Sequence, residues 1–157
     1  MKNIEKLLIY QKALNICKLV ESLMLALPEE DVFLVQSKSS MMEDAILIPA
    51  KIAGAEAGDL YSIRMQNAAV VRYHALHLYA QMGSLRFHSK FKDLEYVTLI
   101  RKELDEFRLL FVEWIATFDT TNYIWDEWEL FNPPNAIPPN DYDDDSFNMD
   151  AFSDDDH

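Results

Sequence analysis

Two histidines, His74 and His77, stand three residues apart, a spacing that puts two imidazoles on one face of a helix where they can share a metal ion. A bundle metal site also needs carboxylates or thiolates on facing helices, and no Glu-x-x-His motif accompanies the pair. Isolated pairs of this kind usually belong to core edges or surfaces, so no metal is expected. His88 and His157 add no pattern. Near the C-terminus, Asp141-Tyr142-Asp143-Asp144-Asp145-Ser146 places acids at the first, third and fifth positions of an EF-hand-like loop. Ser146 stands where the sharp turn wants glycine, and Phe152 where a bidentate glutamate belongs, which leaves at most weak, nonspecific divalent-ion binding. The three glycines, Gly54, Gly58 and Gly83, form no phosphate-cradling loop, and there is no Gly-x-Ser-x-Gly nucleophile. No catalytic residue and no cofactor is assigned, and the chain reads as a non-enzyme.

Charge divides the chain. The segment from Asp126 to His157 holds 11 Asp and Glu with no Lys or Arg, whereas residues 1–125 carry 14 Lys and Arg against 16 acids, net −2 of the overall −13. A folded body over 1–125 and an acidic tail over 126–157, rich in Pro, Asp and aromatics, follow from that division. The body is long enough to bury one core. The single Cys17 excludes an intramolecular disulfide and fits packing in a reducing compartment. The apolar stretch from Leu7 to Tyr10 is too short for a signal peptide or a membrane span, so a soluble, cytoplasmic protein with no membrane partner is expected.

The elements that must position these residues are helical. Ile9, Ala13, Ile16, Val20, Leu23 and Leu27 recur at steps of four and three, predicting a first helix that ends before Pro28. Pro28 with Glu29, Glu30 and Asp31 reads as the opening of a second helix reaching the mid-fifties. Pro49 lies within it and predicts a kink, since proline removes a backbone hydrogen bond and crowds the carbonyl of Ala45. Asp59 is the expected cap of a third helix whose stripe, Ala68, Val71, Ala75, Leu78 and Met82, breaks at Gly83. Val97, Ile100, Leu104, Phe107, Phe111, Trp114 and Phe118 mark a fourth. No strand is expected. The predicted fold is all-α: an antiparallel up-down-up-down four-helix bundle with a proline-kinked second helix and an acidic C-terminal tail. Leu109, Leu110, Val112 and Ile115 widen the apolar face of the fourth helix, which calls either for another subunit or for cover by Trp125 and the start of the tail.

The segments Ile9-Tyr10-Gln11-Lys12-Ala13-Leu14, Ala45-Ile46-Leu47-Ile48-Pro49-Ala50-Lys51-Ile52-Ala53 and Leu78-Tyr79-Ala80-Gln81-Met82-Gly83 resemble the bacterial four-helix-bundle proteins first noted in intervening sequences of 23S ribosomal RNA genes. The resemblance covers about residues 7–118. It implies an up-down bundle, ring-like homo-oligomers with pentamers as the usual form, and no catalytic residues. A similar relative, the accessory protein of diversity-generating retroelements, is basic and binds nucleic acid and the reverse transcriptase. The family's basic pair is replaced here by Met42 and Glu43, which removes cationic contacts to phosphate.

The candidate basic surface consists of Lys51, Arg64, Arg72, Arg101, Lys102 and Arg108, interspersed with acids; Arg101 with Asp105 and Lys102 with Glu106 have intrahelical pair spacing. The tail reads either as a solubilising segment or as a partner-docking one carried by Trp125, Trp128, Phe131, Tyr142, Phe147 and Phe152, with Trp125 to Phe131 forming a short helix against the bundle. The expected function is a homo-oligomeric helical-bundle scaffold whose acidic tail docks a protein partner or screens the bundle. The alternative is a nucleic-acid-binding accessory protein, which the net charge disfavours.

Overall fold

The computed structural model describes residues 3–28, 32–88 and 94–140. Glu29, Glu30 and Asp31, the acidic segment 141–146, and Tyr142, Phe147 and Phe152 lie outside the described residues. A single 3-10 turn, Ile4–Lys6, precedes four helices: α1 (Leu8–Ala26), α2 (Val32–Glu56), α3 (Tyr61–Leu85) and α4 (Glu95–Ala116). Among the described residues there is no strand, and no helix is long and apolar enough to cross a membrane.

The buried stripes largely follow the sequence period, with Ala75 of α3 and Phe111 of α4 only half-buried. In α1 the buried residues are Ile9, Ala13, Ile16, Val20 and Leu23, and α1 stops two residues before Pro28. In α4 Val97, Ile100, Leu104, Phe107 and Trp114 are buried, and Phe118 joins them just beyond the helix end. Phe107, Phe111, Trp114 and Phe118 form a continuous aromatic run whose successive ring centroids are 6.4, 5.9 and 4.9 Å apart. The helices pack as a bundle in which α1 and α3 each lie against both α2 and α4, and α2 with α3 makes the most extensive seam. Pro49 sits inside α2 and is buried, flanked by buried Ile48 and Ile52.

Three expectations about local structure are corrected. The residue before α3 is Leu60 rather than Asp59, and it makes no side-chain cap; instead the Tyr61 N–H donates to the Asn122 carbonyl at 3.0 Å, so the segment after α4 satisfies a donor that a cap would leave free. Gly83 does not end α3. The helix continues to Leu85 because Met82 and Leu85 are both buried, and that burial outweighs a glycine penalty of about 1 kcal/mol. Residues 125–131 form no helix.

They form a loop organised by one carboxylate. Asp126 accepts the backbone N–H groups of Trp128 at 3.0 Å, Leu130 at 3.0 Å and Phe131 at 2.8 Å, while its own N–H donates to Asn132 Oδ1 at 2.8 Å. Further along, the Ile137 N–H donates to the Tyr123 hydroxyl at 2.9 Å. Hydrogen bonds therefore tie the chain from Asp126 to Asn132, and again at Ile137, to the segment leaving α4.

The Phe131 N–H above all, followed by those of Trp128 and Leu130, holds the Asp126 carboxyl below its ordinary value. A depressed carboxyl stabilises the loop above the ordinary carboxylate range, and that contribution is lost as the pH falls through the lowered value. Acidification is expected to change near-ultraviolet circular dichroism from the Trp125–Trp128 region before helical content falls, and Asp126→Ala should produce the same near-ultraviolet change at neutral pH. An Asp126→Ala spectrum identical to the parent would remove this role.

Candidate functional site

The α2–α3 seam contains a buried acid. Asp44 lies in the stripe of Met41, Ala45 and Ile48 and is 2% exposed, so its carboxylate must find donors from α3. His74, His77 and Gln81 follow the three-and-four spacing that gathers them on one side of that helix. His74 Nδ1 lies 2.8 Å from Asp44 Oδ1, His77 Nδ1 lies 2.7 Å from Oδ2, and Gln81 Nε2 donates to Oδ2 at 2.6 Å. Gln81 Nε2 also stands 3.2 Å from His77 Nδ1. Both nitrogens aim at the same oxygen, and the shorter contacts assign a proton to each, so this last approach is a crowding of two donors. A carboxylate acceptor at Asp44 calls for hydrogen on Nδ1 of both imidazoles and leaves each Nε2 without a part in these contacts. The Tyr73 ring stacks on His77 at 5.9 Å and meets His74 edge-on at 5.0 Å.

His74 is buried and His77 is 41% exposed, so the imidazole that faces solvent is that of His77. An oriented imidazole of this kind can accept a proton or ligate a metal as one member of a set. Among the described residues no group of three or more His, Cys, Asp and Glu could hold a metal ion. What the cluster does within the fold is fix how α2 and α3 sit against each other.

A second polar knot lies at the other end of that seam. Arg64 is 4% exposed and pairs through Nη2 with Glu56 Oε1, the same oxygen that accepts the Trp114 indole N–H at 2.7 Å. The guanidinium rests 4.1 Å from the centre of the Phe118 ring, and the Arg64 Nε is buried with no hydrogen-bond partner. Glu56, Arg64, Trp114 and Phe118 thus tie α2, α3 and α4 together. On the outside of the bundle Lys12 of α1 bridges Glu103 at 2.9 Å and Glu106 at 2.7 Å of α4, contacts that raise the lysine above its ordinary value.

These positions revise the basic surface. Arg64 does not belong to it, because its charge is consumed by Glu56 in the interior. Arg101 is half-buried with its guanidinium 4.0 Å from the centre of the Tyr79 ring rather than extended toward Asp105, and Glu106 takes Lys12 as its hydrogen-bonded partner. Lys51 is half-buried; Arg72, Lys102 and Arg108 are exposed. Of the aromatic docking residues, Trp125 and Phe131 are half-buried and Trp128 is exposed. Cys17 is half-buried, and burial, with Glu21 adding, pushes its thiol up and away from the reactive thiolate.

Sequence reasoning singled out His74 and His77 but missed Asp44, Gln81, Glu56 and Trp114 as their partners and analogues. The available signal was Asp44 itself, an acid interrupting the apolar stripe from Met41 to Ile48. No family model, no curated protein and no solved structure matches this chain.

Asp44→Ala leaves three donors at a buried seam without an acceptor and is expected to destabilise the protein by about 3 kcal/mol in denaturant unfolding. Glu56→Gln, which keeps an acceptor for Trp114 but strands the buried Arg64 charge, should cost about as much. Substitutions that lower stability by no more than ordinary surface changes would show that these carboxylates do not anchor the seam.

Proposed function

We propose that the protein is a non-enzymatic helical-bundle scaffold that assembles with copies of itself and whose acidic C-terminal segment docks on a protein surface. In this reading α1 to α4 run up-down-up-down with neighbours antiparallel and α2 bends at Pro49. Two sets of contacts support the antiparallel course. Passing from Asp44 to Glu56 along α2 means passing from His77 back to Arg64 along α3, and Lys12 reaches Glu106 while Asn15, three residues later, reaches Glu103.

The observation that carries self-assembly is an apolar end of the bundle. Leu25 in the last turn of α1 is 91% exposed and Phe87 just after α3 is 89% exposed, with Val32 and Phe33 at the start of α2 and Leu94 before α4 also open to solvent. Contacts bring these elements together: the Phe33 ring stacks on His88 at 5.7 Å, and Lys38 Nζ donates to the Leu27 carbonyl at 3.3 Å. Large apolar side chains collected in one place on a protein mark an association surface, whereas scattered ones need no explanation. The resemblance to ring-forming bundle proteins points the same way. The alternative, nucleic-acid binding, keeps Arg72, Lys102 and Arg108 of its candidate basic surface exposed, with Lys6, Lys18 and Arg86 exposed elsewhere, set against a net charge of −13.

The parent protein is expected to be oligomeric by light scattering at micromolar concentration, and Leu25→Asp combined with Phe87→Asp should give a monomer of unchanged helical content. A monomeric parent protein would overturn the proposal.

A further inference from the structure

Between α3 and α4 lies a groove of about 390 Å³, within the range of small ligand pockets. Its floor is apolar and aromatic, formed by Leu76, Tyr79, Phe107, Phe111 and Val112. Arg72 and Arg108 stand exposed at its rim, and Asp105 is the one carboxylate among the lining residues. Leu76 and Val112 are each more than half exposed, so the floor is open. Two guanidinium groups against one carboxylate, set over aromatic rings, suit an occupant that is acidic and aromatic together.

The chain supplies such a segment. Residues 141–157 contain eight aspartates and no Lys or Arg, with Tyr142, Phe147, Met149 and Phe152 spaced among them. We propose that this segment binds in the α3–α4 groove of its own chain, Phe147 and Phe152 on the apolar floor and the flanking aspartates against Arg72 and Arg108. The proposal deepens, and rests on, the reading of the acidic segment as a docking element.

The length of chain allows it. The Tyr61 N–H is held by the Asn122 carbonyl, and the neighbouring Tyr123 hydroxyl accepts the Ile137 N–H, so Ile137 is tied close to the start of α3. From Tyr61 to Leu76 the helix rises about 22 Å. The ten residues from Ile137 to Phe147 span up to about 33 Å when extended. Residues Asp126 to Phe131 already run beside Gln66, Ala69 and Tyr73 of α3, on the strip of helix surface next to Arg72 and Leu76. With the segment seated, the aspartates occupy the groove's cations, so an external acidic partner has to displace them; added salt weakens the contact.

The test uses the full-length chain carrying Ser146→Cys and Cys17→Ser, a nitroxide on the new thiol, and isotope-labelled methyl groups. The methyl resonances of Leu76 and Val112 are expected to lose intensity, those of Leu8 on α1 to keep it, and Arg72→Glu with Arg108→Glu to restore the lost signals. Equal intensity at Leu76, Val112 and Leu8 would overturn the proposal. So would broadening that appears only when nitroxide-bearing unlabelled chains are mixed with labelled chains lacking the nitroxide, because the groove would then be filled by a second copy. Light scattering on the same samples reads self-assembly separately, and neither arginine lies among the apolar end residues, so a failed scaffold reading and a failed docking reading give different results.

Discussion

A carboxylate placed inside the buried stripe of a helix can be accommodated only where a neighbouring helix presents donors at matching height, and Asp44 imposes that condition on the bundle. His74, His77 and Gln81 meet it from successive turns of α3. Sliding α3 along α2 by one helical turn, about 5.4 Å, would carry the donors away while leaving most apolar contacts replaceable. Leu, Ile, Val and Met pack against one another in several registers; a buried acid with three partners does not. The remaining polar contacts then follow from a seam already fixed: Glu56 meets Arg64 further along, Trp114 attaches α4 to the same carboxylate, and Lys12 draws α1 onto α4.

Much of the fold was legible in the chain because the apolar period is strong. Ile9 to Leu23 bury the residues their spacing indicates, Val97 to Trp114 do so except for the half-buried Phe111, and Pro28 lies just outside α1. The polar architecture was less legible, since whether an Asp or Arg inside a helix faces solvent or a partner depends on which helix lies opposite. Arg64 looked like one of several surface cations until Glu56, eight residues earlier, met it across the α2–α3 turn. Asp59 and Gly83 were misread because α3 begins one residue later than the local signal indicates, its Tyr61 amide held by the distant Asn122 carbonyl, and because buried Met82 and Leu85 carry the helix past the glycine.

The molecule separates two kinds of surface. Polar groups buried between helices are paired at the Asp44 and Glu56 knots, the Arg64 Nε excepted, and contribute to alignment within one chain. Apolar side chains left outside include a group at one end, around Leu25 and Phe87, another along the open α3–α4 groove, and a third on the segment after α4, at Ile124, Trp128, Leu130 and Ile137. Polar groups hold the interior geometry and apolar groups lie outside, a division that fits the proposed scaffold reading.

The bridge from Lys12 to Glu106 spans 94 positions in the sequence. As the chain emerges from the ribosome, α1 is made early and its second neighbour very late, so α1 and α2 must wait with one flank uncovered through most of synthesis. The pairing of α2 with α3 gains its Asp44 contacts once His74 to Gln81 have been made. Closure by α4 comes afterwards, and the Tyr61 amide receives the Asn122 carbonyl only once nearly the whole described chain has been made. The setting of the first helix is therefore completed only by the last, since the bridge from Lys12 to Glu106 waits for α4.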